Sequence, residues 1–143
     1  MRPTIRGIAL VPLVAALLLA ACGEAPSDEH VIDEPATVQE VEDGEVARVT
    51  ITQKAAERLD IQTALVEAVG ERTVVSSAAV LVDPAGDFWV FTNPEPLVFV
   101  RHKISIDYEE GNQAFLTDGP PAGSKIVTVG VAELYGAEYG VGH

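Results

Sequence analysis

Phe88-Trp89-Val90-Phe91-Thr92-Asn93-Pro94-Glu95-Pro96-Leu97-Val98-Phe99-Val100-Arg101 is the most telling run of this chain. Aromatic and β-branched residues crowd it, and its only breakers are the two prolines and Asn93. Such a composition reads as strands at Phe88 to Thr92 and from Leu97 to Asp107, around a break at Asn93-Pro94-Glu95-Pro96. Large residues fall on both sides of the first strand. Either it is buried on both faces, or one face meets a partner. Val90 and Phe91 suit a core. Trp89, with Leu97 and Phe99, is the candidate partner-binding group, since aromatic residues dominate interface energetics.

The same period continues in both directions. Glu110-Gly111-Asn112 folds the second strand back onto Gln113 to Thr117 as a hairpin. Asp118-Gly119-Pro120-Pro121-Ala122-Gly123 is a rigid turn into a strand at Lys125 to Val129, and Val131 to Tyr139 has room for one or two helical turns. Upstream, Asp83 to Asp87 is a Pro/Gly turn, preceded by strand-like Glu71 to Val75 and Ala78 to Val82. Gly70 ends a β-like segment from Ile61 to Val69. Glu45 to Thr52 alternates as a strand, and Thr52 is placed to cap a short helix from Gln53 to Leu59, with Ala56 and Leu59 inward. Six to eight short strands with one or two short helices predict an all-β domain over residues 46–143, a small barrel or a sandwich.

Residues 1–21 read differently. Arg2 and Arg6 precede an apolar run from Ile8 to Leu19, too short to span a bilayer as a helix, and Ala20-Ala21-Cys22 follows. That order is a secretory signal of the lipoprotein type. It is cut between Ala21 and Cys22, and the Cys22 sulfur then carries a diacylglycerol; the alternative is an ordinary cleaved signal with an incidental cysteine. Two or more acyl chains anchor a protein stably where one does not. Cys22 is the only cysteine in the chain, so neither a disulfide framework nor a cysteine metal site is expected.

Between Gly23 and Glu45 there are nine carboxylates and no Lys or Arg. With Pro26, Pro35 and few large apolar residues, segment 22–45 reads as a disordered acidic tether, of ~27 Å when relaxed and longer under self-repulsion. The chain carries a formal charge of −13, and loss of Arg2 and Arg6 makes it more acidic still. Nucleic acid is therefore set aside as a partner.

Little in the sequence points to chemistry. His30, His102 and His143 lack metal-ligand spacing, so no metal or other cofactor is expected. Ser76, Ser77, Ser105 and Ser124 lack the Gly-x-Ser-x-Gly elbow of a nucleophile, and Asp83 and Asp87 flank a turn where Asp serves the backbone. No catalytic residue is assigned, and the chain does not read as an enzyme.

A family resemblance rests on several segments together. Val49-Thr50-Ile51-Thr52-Gln53 through Leu59-Asp60-Ile61-Gln62-Thr63-Ala64 resembles the opening strand, short helix and second strand of the membrane-proximal domain of periplasmic adaptor subunits (membrane fusion proteins) of RND-type efflux systems. Ala79 to Gly86 with Phe88 to Asn93, Phe99-Val100-Arg101 with Ile104, and Gly119 to Gly123 with Ile126 to Gly130 and Ala132-Glu133-Leu134 resemble its closing segments. Asp60 stands where the family often has Gly, and Pro120 where Leu is common. The long insertion carrying the barrel, lipoyl-like and coiled-coil parts is missing: Val66 to Val74 crosses that gap with a Gly-centred link. The resemblance implies a lipid-anchored, extracytoplasmic adaptor-like module for an inner-membrane efflux pump or other transporter subunit, without the hairpin that reaches an outer-membrane channel. The alternative is an acidic lipoprotein that binds a cation or small ligand.

Overall fold

The computed structural model describes residues 34–41 and 46–140. Ten strands run in chain order: β1 (Ala36–Glu40), β2 (Ala47–Ile51), β3 (Gln62–Leu65), β4 (Glu67–Val69), β5 (Arg72–Ser76), β6 (Leu81–Val82), β7 (Phe88–Glu95), β8 (Val98–Glu110), β9 (Gln113–Asp118) and β10 (Lys125–Val129). Helix α1 (Gln53–Arg58) follows β2, and helix α2 (Val131–Glu138) follows β10. The all-β expectation holds, with more strands than six to eight.

The central path is β3-β10-β7-β8-β9-β5-β4, every pairing antiparallel. Its two ends, β3 and β4, are separated only by Val66, so a single bent segment joins them and the sheet nearly closes into a barrel. At that bend the Val66 N–H donates to the Ser124 carbonyl, and the Gly123 N–H donates to the Val66 carbonyl, both at 2.8 Å. Strand β8 makes the second bend. Val98 to Ile104 pairs with β7, and Ser105 to Glu110 pairs with β9 across register shifts between Ser105 and Tyr108. Such bulges sharpen twist and let one strand serve two sheet segments.

Alternation along the strands makes two cores. Val66, Val75, Val90, Ile104, Ala114, Leu116 and Ile126 fill the barrel, joined by Ala79. Val49, Ile51, Phe91, Phe99 and Val127 face the other way and are covered by Ala55 of α1 and Leu134 of α2. Adjacent Val90 and Phe91 are each 0 % exposed, so β7 is buried on both faces. Large residues occur on both sides of this strand because each side has its own core.

Thr52 caps α1 as its position indicates, its hydroxyl accepting from the Ala55 N–H at 3.1 Å. At the other end the Asp60 N–H donates to the Glu57 carbonyl and the Ile61 N–H to the Ala56 carbonyl, which is the Schellman arrangement. Asp60 fills its left-handed position at φ +50°, the conformation that favours glycine.

Four expectations are corrected. Ala36–Glu40, placed in the tether, forms β1 and pairs with β2 from Ala36↔Ile51 to Glu40↔Ala47; main-chain pairing needs no apolar side chains, and Thr37 and Val38 favour it. Ala78 to Val82 is not one strand: Ser77–Ala79 is a 3-10 turn, with the Ser76 hydroxyl accepting from the Ala78 N–H. On α1 it is Ala55 that is buried, while Ala56 and Leu59 are half-buried. The break at Asn93 to Pro96 lies later than expected. β7 runs on to Glu95 through a bulge, and Pro96-Leu97 makes the turn with Leu97 at φ +63°. The Asn93 side-chain amide braces that turn by donating to the Glu95 and Val98 carbonyls at 2.7 and 2.9 Å.

Candidate functional site

Two features of the outer face of β2, β8, β7 and β10 stand out: a buried charge cluster and an apolar groove. The cluster is centred on Arg101, which is 4 % exposed and faces away from the barrel interior. Its Nε donates to Glu138 Oε2 at 2.6 Å, and an Nη donates to the Tyr139 hydroxyl at 2.9 Å. Glu138 Oε1 accepts from the Ala47 N–H at 3.2 Å. The guanidinium lies 4.4 Å from the Trp89 ring centroid, 5.7 Å from Tyr135 and 5.4 Å from Tyr139. Tyr135, Glu138 and Tyr139 share one side of α2 by helical spacing, so the helix closes over the arginine as a unit. Burial works against the Arg101 charge, but the hydrogen bond and field of Glu138 outweigh it and raise the pKa. The Tyr135 phenol is pushed up by burial first and by Tyr139 next.

Asp83 adjoins this cluster. Its Oδ1 accepts from the N–H groups of Ala85 and Asp87, both at 2.9 Å, and its Oδ2 accepts from the Trp89 indole N–H at 2.9 Å. The Asp87 N–H does most to hold this carboxyl below its ordinary value; partial burial opposes it, and Trp89, Ala85 and Gly86 add to the lowering. Lys103 pairs with Asp87 at 2.8 Å, and its Nζ lies 5.6 Å from the Trp89 ring centroid. Among the described residues no buried side-chain polar atom lacks a partner. This cluster ties α2 to β8.

The groove lies between β1, α1 and α2 and measures about 790 Å³. Ile51, Ala55 and Leu134 form its floor, and Val38, Leu59 and Ala132 its walls. Glu34, Arg58, Glu133 and Glu138 supply charge among its lining residues. At the rim of this groove Val38 stays 41 % exposed.

Of the residues singled out from sequence, Trp89 is 7 % and Phe99 3 % exposed, and Leu97 is half-buried. Leu97 and Phe99 meet in the second core, while Trp89 belongs to the arginine cluster. Ala21 and Cys22 lie outside the described residues. His102 is exposed on β8, and among the described residues no three His, Cys, Asp or Glu side chains gather as a metal group. No helix among the described residues is long and apolar enough to cross a membrane. Sequence reasoning missed Arg101, Glu138 and the groove. The one available signal was an arginine following the apolar Leu97 to Val100. No protein-family model, curated protein or solved structure matches this chain.

Proposed function

We propose that this chain is a lipid-anchored, extracytoplasmic adaptor-like protein that serves as an accessory or binding module for a membrane transporter of the efflux type. Cys22 anchors it on the periplasmic side of a bacterial membrane, the acidic segment spaces it from the lipid, and the β domain docks on a protein partner. One observation carries the reading. The segments that resemble the two separated halves of an adaptor's membrane-proximal domain lie here in a single nearly closed sheet. Strand β2, α1 and β3 supply the opening half, and β6, β7, β8, β10 and α2 the closing half. Their junction is the β4–β5 hairpin at Gly70-Glu71, where φ of Gly70 is +64°. A short hairpin thus stands where the resemblance places a long insertion.

Mild crosslinking in intact cells, followed by affinity capture of the full chain and mass spectrometry, tests the proposal. An inner-membrane transporter subunit should be enriched over a capture from cells expressing the Cys22→Ser chain. Equal recovery of all transporter subunits in both samples would count against it.

A further inference from the structure

We infer that the open edge of β1 receives an extended, basic segment of a protein partner as an added strand; this deepens the docking role proposed above and rests on it. Among the described residues β1 pairs with β2 alone, at the margin of the sheet. The register says which main-chain groups are left over. The Thr52 N–H donates to the Pro35 carbonyl at 3.1 Å, and the Val41 N–H to the Val46 carbonyl at 3.3 Å. Bonds are exchanged at every second pair of an antiparallel ladder, so Thr37 and Gln39 also bond toward β2. The N–H and C=O groups of Ala36, Val38 and Glu40 therefore point away from β2. An extended peptide adds to a sheet through such groups.

Side chains fit the same use. Ala36 and Val38 stand opposite Ile51 and Val49 and share their face, which is the groove side. A strand laid on the edge sets alternate side chains beside them, over the groove, and covers Val38, which is 41 % exposed. Ala132 and Gly136 of α2 line the groove and are small enough to leave room for those side chains. Charge selects the occupant. Glu34 and Glu133 are exposed at the groove, Glu138 is already held by Arg101, and Arg58 is the one base among the described lining residues. Glu40 ends β1, and no Lys or Arg occurs between Gly23 and Glu45. Sheet edges are commonly protected from self-pairing by charge. Here that charge is acidic, on a chain of net charge −13. It repels a second copy and favours a partner strand with Lys or Arg at its ends.

The test adds the synthetic peptide Lys-Lys-Val-Thr-Val-Thr-Val-Lys-Lys to the isotope-labelled full chain in detergent micelles and follows amide hydrogen exchange by NMR. Exchange should slow by about tenfold or more at Ala36, Val38 and Glu40, and change little at Thr37 and Gln39, which already bond to β2. N-methylation of one alternate set of peptide residues should abolish binding, and of the other set should leave it intact; equal effects of the two sets would overturn the edge. Replacing each peptide Lys by Glu should weaken binding about tenfold or more at low salt. Equal affinity would overturn the basic partner. Protection that grows with the concentration of the chain alone, unaltered by peptide, would put a second copy at the edge and overturn it as well. Val38→Pro removes one outward N–H and no bond to β2, so it should keep the fold and weaken the peptide about tenfold. In the crosslinking capture it should lose the transporter subunit. A Val38→Pro chain that still captures that subunit would overturn the edge and leave the transporter reading standing. Peptide binding at the edge, with no transporter captured by the unaltered chain, would overturn the transporter reading and leave the edge standing.

Discussion

The Arg101 guanidinium and the Glu138 carboxylate meet at 2.6 Å with their side chains 2 % and 4 % exposed. This pair joins the long strand β8 to the last helix, across a separation of 37 residues. Breaking it from one side strands a charge in the interior. Glu138→Ala should cost about 3–5 kcal/mol of unfolding free energy. The Arg101→Met/Glu138→Met double variant should recover most of that loss, because no unpaired charge remains. Urea unfolding followed by circular dichroism measures both; equal losses in the two variants would contradict the assignment.

Trp89 is the only tryptophan in the chain, so intrinsic fluorescence reports on its contact with Asp83. The folded Asp83 carboxyl has a pKa below its ordinary 3.8. Its ionised form therefore favours the fold. That contribution is complete above about pH 3.8 and is lost as pH falls through the lower folded value. Trp89 emission should shift in an acid step centred below pH 3.8. In Asp83→Asn that step should vanish from the fluorescence titration.

Asp60 holds a left-handed conformation at φ +50° as the residue that ends α1, and Gln62 Nε2 donates to its carboxylate at 2.8 Å on the exposed surface. Glycine adopts this conformation without strain, whereas an L-residue loses ~1–2 kcal/mol, less for Asp. Asp60→Gly should therefore raise stability by up to about 1 kcal/mol, offset in part by the greater freedom of glycine in the unfolded chain. A rise in urea midpoint at unchanged slope is the expected result.

Trp89→Ala should destabilise the domain by about 3 kcal/mol or more, because the ring is 7 % exposed and lies against Arg101. Circular dichroism during denaturation measures this without relying on the lost fluorophore. An unchanged midpoint would show that the ring contributes little to packing.

The strands were legible because periodicity and turn chemistry agree. Asn112 and Gly111 mark the β8–β9 hairpin, and Thr52 marks the start of α1. What escaped was whatever depends on distant partners. Strand β1 carries Glu40 and lies beside Pro35, and its side chains suggest a solvated segment; only pairing with β2 makes it a strand. Arg101 follows an apolar run and reads as a surface residue until α2, with Glu138 and Tyr139, is laid over it. Leu97 reads as the start of a strand, but Pro96 before it fixes a tight turn, and packing against the second core holds its positive φ. The groove has no sequence signature. It arises where β1 and two short helices, distant in sequence, meet over the outer core.

The central claim is that residue 22 fastens this β domain to a membrane. Mass spectrometry of the amino-terminal peptide, from full chain expressed in a bacterium with an intact lipoprotein pathway, tests it most directly. The expected peptide begins at Cys22 and carries diacylglyceryl mass on sulfur. A peptide beginning at Met1, or an unmodified Cys22 in protein recovered from the soluble fraction, would contradict it.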